Sequence, residues 1–499
     1  MAGKGGHARA LLRWPRMLLA LLVLLADALP PQEQLEAALR EALAVSCPGH
    51  EVAFDADLTR GCRAFAEAAR TGKSQVSGSV ASFYASLESS EPAPIAGVAT
   101  VDPASRADRA VGDLFSHSCR LNHIGVAAAE LPGGHGAVVC ALSALHGTDL
   151  RHIPGQVEEL DTVIVAGRLA PELSRPRLFV THPSGDVEEM GLIAAGGEFA
   201  TRVMLRETGE HSIEILADGP GGPQVAALRR VFAGVKPPQA PPAAPKMAPG
   251  LAGVEAAIAH LRASRGLPAL QRDELLDTVA EAHSKEMVRL RTFAHVLPTD
   301  GSLTDRLRGR GYVYRSAGEN IGLSDDAATA HEAIVGSPAH LANLLDPRHR
   351  KLGLGQVRGP SPDGGEGVYL TEVLAAPVVG SNDPAADVAR LLFSERRKRG
   401  LPELARDAAL DKVASREVQF AAGTGALKLQ GDADGKALEQ IPGLESAVAE
   451  LFVGSAPDVA ARSKNLGDAR WKYVGVAATY ASSKTYGPGR LWVVLLYGR

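Results

Sequence analysis

One string of this chain occurs twice, and a duplication limits the available folds more than composition does. RGLPALQRDELLDTVA, from Arg265 to Ala280, returns as RGLPELARDAALDKVA, from Arg399 to Ala414. Further along, VGSPAHLA (Val335 to Ala342) is echoed by VGSAPDVA (Val453 to Ala460), and KLGLG (Lys351 to Gly355) by YVGVA (Tyr473 to Ala477). Three blocks in the same order predict a duplicated domain. Each copy reads as helix, short loop, helix. Val254, Ile258 and Leu261 recur at helical spacing. Gly266 can close that helix and Pro268 prevents its continuation. Asp273 stands where an N-cap opens a second helix, with Leu276, Val279, His283 and Met287 on its inner face. The same reading applies from Val388 to Phe420.

A weaker third copy is expected near the N-terminus, in LEAALREAL (Leu35 to Leu43), DLTRGCRAFAEAAR (Asp57 to Arg70), HIGVAAAE (His123 to Glu130) and GAVVCALSA (Gly136 to Ala144). Residues 151–235 differ, with short β-rich runs separated by Gly, Pro, Ser and Asp turns, which predicts a small β-sandwich. KPPQAPPAAPKMAPG, Lys236 to Gly250, reads as a semi-rigid linker. At the other end of the chain, Lys4, Arg9, Arg13 and Arg16 precede the apolar run Met17 to Leu25, and Ala26-Asp27-Ala28 follows. That is the pattern of a cleavable secretory leader over residues 1–28. No later run is apolar for long enough to span a bilayer, so the chain is expected not to be a transmembrane protein after cleavage.

The four cysteines, Cys47, Cys62, Cys119 and Cys140, all precede residue 150. An even number in an exported chain points to disulfides, and four cysteines allow three connectivities. Local pairing, Cys47 with Cys62 and Cys119 with Cys140, is the expectation. The net charge is −4, which gives no field to attract nucleic acid or anionic lipid. The run Glu395-Arg396-Arg397-Lys398-Arg399 is read as a solvated helix face. His331-Glu332 does not start a HExxH motif, because Val335 stands where the second His belongs, and His331 is read as a surface residue. Ser337 lies in Gly-Ser-Pro, which is no nucleophile elbow.

Between the duplicated blocks, TFAHVLPTDGS, RSAGENIG, GSPAHLANLLDP, KLGLGQV and GVYLTEVLA follow in order. As a set they closely resemble the bacterial, SCP-like extracellular branch of the CAP superfamily of cysteine-rich secretory, antigen and pathogenesis-related proteins. The resemblance implies an α-β-α sandwich (α+β) over residues 251–376, with a cleft in which His295, Glu319 and His340 converge. Asn320, Ser337 and Glu332 join them as cleft or binding candidates, Glu372 being the other choice for a second acid. His295, His340 and Glu319 are the donor set that Zn²⁺ or another divalent metal would use. The family usually has Trp where this chain has Ile334. Residues 29–150 and 377–499 are expected to be degenerate CAP-like modules. In the last of them Asp458 aligns with His340, Leu429 falls near the position of His295, and no Gly-Glu-Asn string is present. The first has His117 and His123 without the surrounding strings.

The resemblance implies an exported protein, extracellular or held in the periplasm or cell envelope, whose His/Glu cleft binds a lipid, a cell-wall glycan or a protein. The alternative is a divalent-metal-dependent hydrolase using the same cleft, so whether the chain is an enzyme stays open, and no catalytic residue is assigned.

Overall fold

The structure, a computed structural model, describes residues 28–114, 119–242, 247–378 and 383–499. The expected leader, apart from Ala28, lies outside the described residues, and so does His117. The chain divides into two compact units. The first is the chain before Met247 together with Val335–Leu341 and Pro360–Glu366; the second holds Met247–Ile334, Ala342–Gly359 and Gly367–Arg499.

In the first unit, α1 (Gln32–Ser46), β1 (Ala53–Phe54), α2 (Ala56–Arg70), α3 (Gly78–Glu88), β2 (Ile95–Val101), α4 (Ala107–Leu114), β3 (His123–Glu130) and β4 (Ala137–Ala144) form a helix-covered sheet of order β1-β3-β4-β2. Alternation along β4 feeds two cores. Cys140 and Leu142 pack on Leu58, Cys62 and Phe65 of α2. Val139 and Ala141 face Leu35, Leu39 and Leu43 of α1. The strands β5 (Thr148–Leu150), β6 (Gln156–Val157), β7 (Thr162–Leu169), β8 (Ser174–Thr181), β9 (Val187–Met190), β10 (Ile193–Ala195), β11 (Glu198–Met204), β12 (Gly209–Gly219) and β13 (Gly222–Ala233) follow. They make two sheets, ordered β10-β11-β7-β5 and β6-β13-β12-β8-β9. Val163, Val165 and Val203 from one sheet and Leu178, Val180 and Ile213 from the other share one apolar cluster.

The chain continues as α5 (Gly250–Ser264), β14 (Gln271–Arg272), α6 (Glu274–Leu290), α7 (Leu303–Gly309), β15 (Tyr314–Ser324), α8 (Ala327–Gly336), α9 (Pro338–Leu345), β16 (Lys351–Pro360) and β17 (Glu366–Pro377). After these come α10 (Pro384–Lys398), β18 (Ala405–Arg406), α11 (Ala408–Thr424), α12 (Ala433–Gln440), β19 (Ala447–Gly454), β20 (Tyr473–Ser483) and β21 (Gly487–Gly498). Their sheets have the orders β14-β16-β17-β15 and β18-β20-β21-β19. In these two sheets and in the β1-β3-β4-β2 sheet, a two-residue strand runs parallel to the long strand beside it.

Two sequence features carry this arrangement. Gly125, Gly353 and Gly475 are each the third residue of β3, β16 and β20. A Cβ there would stand 2.3 Å from Thr59 N, 2.2 Å from the Leu276 carbonyl carbon and 2.4 Å from that of Leu410. The strand lies directly against helix backbone, and only glycine fits. Beside each glycine an aspartate, Asp55, Asp273 or Asp407, caps the helix with its side chain. The same three aspartates donate their backbone N–H to Ile124, Leu352 and Val474 O, at 2.8, 3.0 and 3.1 Å.

Two expectations are corrected. Arg396, read as part of a solvated face, is only 1% exposed. Its Nε donates to Pro402 O at 2.9 Å, and its Nη1 to Leu466 O at 3.1 Å and Asp468 O at 2.9 Å. Arg262 does the same in its own sheet, with Nε to Pro268 O at 2.9 Å and Nη1 to Leu344 O at 2.6 Å. Each guanidinium ties the Gly-Leu-Pro turn to a distant loop. The disulfides are Cys47–Cys119 and Cys62–Cys140, each with Cα atoms 5.3 Å apart, and not the local pairs. Cys62 lies on α2 over one face of the sheet, whereas Cys47 caps α1 on the other, so the sheet separates the cysteines nearest in sequence.

Arg396→Met keeps the apolar stem but strips the donors from the carbonyls of Pro402, Asp468 and the buried Leu466. Urea unfolding is expected to show a loss of about 3 kcal/mol. A loss below about 1 kcal/mol would place the guanidinium in solvent.

Candidate functional site

The second unit builds its polar site on the two faces of β15. Asp273 accepts from Leu275 and Leu276 N–H and starts α6, and Arg291, left-handed at φ 48°, ends it. The following loop carries His295. Ser302 and Asp305 then start α7 with a reciprocal capping box. Consecutive residues of a strand point to opposite faces, so Glu319 and Asn320 serve different networks.

Glu319 is 8% exposed and turns toward α6, α7 and the loop between them. Its Oε1 lies 3.0 Å from His295 Nδ1 and 3.8 Å from His283 Nε2. Its Oε2 accepts from Arg306 Nη2 in a short hydrogen bond. Arg306 also donates through Nη1 to Gly301 O at 2.8 Å and His295 O at 3.2 Å. His283 is fully buried on α6, with Nδ1 2.7 Å from Asp300 Oδ2 and Nε2 3.1 Å from Ala294 O. One guanidinium and one imidazole thus hold the loop onto the carboxylate. Burial pushes the Glu319 carboxyl up. The His295 hydrogen bond and the positive charge of Arg306, His283 and His295 outweigh burial and hold it down at about 2.

On the other face, Asn320 Nδ2 donates to Glu372 Oε2 at 3.2 Å, and Asn320 Oδ1 accepts from Asn343 Nδ2 at 3.0 Å. Glu372 is fully buried on β17, directly across from Asn320. His331 Nδ1 stands 2.6 Å from its Oε1. His331 was expected at the surface and is 2% exposed; α8 turns it inward onto the sheet. Of the two acids weighed for a second role, Glu372 is in this network. Glu332 is partly exposed, and among the described residues its carboxylate has no hydrogen-bond or ion-pair partner. Ile334, in place of the family's Trp, is 2% exposed, and its Cδ1 would lie 3.1 Å from a Cβ added at Gly322.

Ser337 and His340 fall in the segment that groups with the first unit. There His340 Nδ1 is 2.7 Å from Ser337 Oγ, which donates to Glu214 Oε2 at 2.5 Å. The structure therefore brings His295 to Glu319, Asn320 to Glu372, and Ser337 to His340. Sequence reasoning missed Asp300, Arg306 and Asn343 as site residues and assigned His283 to an inner helix face without a polar role. Their signal lay in the strings already quoted, since Asp300 belongs to TFAHVLPTDGS and Asn343 to GSPAHLANLLDP. Also missed was a group elsewhere. Among the described residues, the His, Cys, Asp and Glu side chains close enough to share a metal are Glu91, His123 and His146, in the first unit.

Glu319→Gln removes a charge whose stabilisation is complete above the ordinary carboxyl value of 4.5 and is lost as pH falls toward 2. The variant is expected to be less stable than the parent by about 3 kcal/mol at pH 7. Urea unfolding should show that gap closing between pH 4.5 and 2. A gap that does not change with pH would falsify the ionic role.

Comparison with known proteins places the site in a family. Residues 256–373 match CAP, the cysteine-rich secretory protein family. Protein YkwD of Bacillus subtilis strain 168, itself uncharacterised, is 36% identical over 103 residues, 20% of this chain and 39% of YkwD. The uncharacterised membrane protein YlbC of the same organism is 35% identical over 96 residues, 19% of this chain and 28% of YlbC. The chain thus spans well under half the length of either relative. A solved extracellular protein of Bacillus anthracis strain Ames containing an SCP domain is 19% identical with a TM-score of 0.22, covering 37% of this chain and 66% of that one. Residues 256–373 of this chain are thus a CAP domain.

Proposed function

We propose that this chain is an exported bacterial CAP protein that acts as a binding or scaffold component outside the cytoplasm, in the envelope or beyond it. The observation that carries this reading is the engagement of Glu319. One oxygen faces His295 and the other takes the Arg306 guanidinium. A carboxylate held in this way at about 2 is a poor general base at neutral pH. The adjacent cation also opposes a divalent metal at the same oxygens. The alternative, a metal-dependent hydrolase working through His295, Glu319 and His340, would first have to free Glu319 from Arg306.

Export is supported by the leader pattern in the sequence and by two disulfides, which persist in oxidising compartments. No described helix is long and apolar enough to cross a membrane. In this reading residues 29–150 and 377–499 are degenerate CAP-like modules and residues 151–235 a β-sandwich. Both degenerate modules share the strand order of the CAP sheet and lack its His295 and Glu319. Their part is to display the one domain that keeps those residues.

The test is sedimentation of the full exported chain with purified peptidoglycan sacculi and, separately, with lipid vesicles. Retention by one of them is expected, weakened about tenfold by His295→Ala. No retention by either, together with release of soluble fragments from sacculi that stops on chelation, would overturn the reading in favour of the hydrolase.

A further inference from the structure

We infer that Glu91, His123 and His146 form a binding site for one divalent ion of the zinc class, built into the first four-stranded sheet and separate from the His295–Glu319 cluster. The three side chains offer ligand atoms that all lie within 4.8 Å of one another. Glu91 Oε1 is 2.5 Å from His146 Nδ1 and 3.3 Å from His123 Nδ1. The second spacing is close to that of neighbouring ligands about 2.0 Å from a tetrahedral zinc, roughly 3.3 Å. The first needs only a small turn of the Glu91 side chain to widen. Asp55 Oδ2 adds a carboxylate 3.7 Å from His123 Nδ1. Two imidazoles and carboxylate oxygens suit zinc and its neighbours, whereas calcium and magnesium prefer oxygen alone.

The donors are fixed from outside the group. Asp55 caps α2 through Oδ1, which accepts from Leu58 N–H at 2.7 Å, so its other oxygen is turned to His123. His123 opens β3 opposite Ala144, the last residue of β4. His146 lies two residues beyond, with its backbone N–H held by Asn122 Oδ1 at 2.8 Å. The two rings stack at 3.8 Å between centroids. The far nitrogen of His146, Nε2, stands 3.0 Å from Asp149 Oδ1. With an ion bound in place of the Nδ1 proton, a carboxylate there would hold the proton on Nε2 and leave the Nδ1 lone pair to the metal, as the outer carboxylate does at metal-bound histidines.

A second observation points to a ligand. His123 Nδ1 is buried and aimed into the group, yet makes no hydrogen bond of acceptable geometry. A cation between it and Glu91 would satisfy that nitrogen. The surroundings favour positive charge, because the Asp55 and Glu91 carboxylates both face His123. The place is also distinct from that of the CAP cluster. His123 pairs with Ala53 as Lys351 pairs with Gln271, at the start of the strand. Glu319 lies within the strand at the other side of its sheet.

The test uses the full chain, stripped with chelator and titrated with Zn²⁺ by calorimetry and metal analysis. One equivalent is expected in the parent and in His295→Ala. His146→Ala should lose it. Asp149→Asn, a change at a positioning residue on the surface, should weaken it about tenfold while leaving the circular dichroism spectrum unchanged. Co²⁺ in place of Zn²⁺ should give visible absorption in the parent that is absent from His146→Ala. No binding by the folded parent, or binding that survives both His146→Ala and Asp149→Asn but is lost in His295→Ala, would overturn the assignment.

Discussion

At Gly125, Gly353 and Gly475 a helix backbone occupies the volume where a side chain's first carbon would stand, and much of the architecture follows from that contact. A helix resting so low on a strand brings its N-terminus level with the strand's first peptide groups. The capping aspartate can then bond the strand with its backbone and the helix with its side chain. Its neighbours form the two-residue strand that closes the sheet edge. The close approach also leaves no room between the layers, so side chains farther along the helix meet the sheet at contact distance. In the CAP domain Ser284 is such a residue and reaches Thr371 of β17 at 2.8 Å.

Fold-forming and site-forming residues are thus largely different sets. The glycine, the aspartate and the buried arginine of the Gly-Leu-Pro turn hold the helix-on-sheet frame. Glu319, His295 and Arg306 hold one loop onto it. The sheet that ends with β21 has residues of the first kind, in Gly475, Asp407 and Arg396.

The frame was legible from sequence because it rests on local, periodic and repeated signals. Asp273 as N-cap, Gly266 as helix stop and the inner face of α6 all follow from residues within a few positions of one another. What stayed hidden depends on which face of a sheet a residue reaches. The nearest cysteines were paired because nothing in the sequence tells that α1 and α2 cover opposite faces. Arg396 looked solvated because its carbonyl partners Leu466 and Asp468 come from a distant loop. His331 looked exposed because its partner Glu372 sits on a strand reached only after another helix and strand. Of the site, the His295–Glu319 contact followed from the family's strings. The separation of Asn320 onto the other face follows from strand alternation, which motif matching ignores.

The Cys62–Cys140 bridge has a consequence for how the chain matures. Cys62 lies on α2 one turn after Leu58, as Ala414 follows Leu410 on α11. Cys140 faces it from β4 much as Val494, on β21, packs in one cluster with Ala414. A covalent link in one sheet thus takes the place of an ordinary apolar contact in another. The two later sheets can close their cores with what ribosomal synthesis supplies. The first completes its core only after meeting an oxidant, so the compartment the chain reaches, and not the order in which it was made, decides when that part is finished.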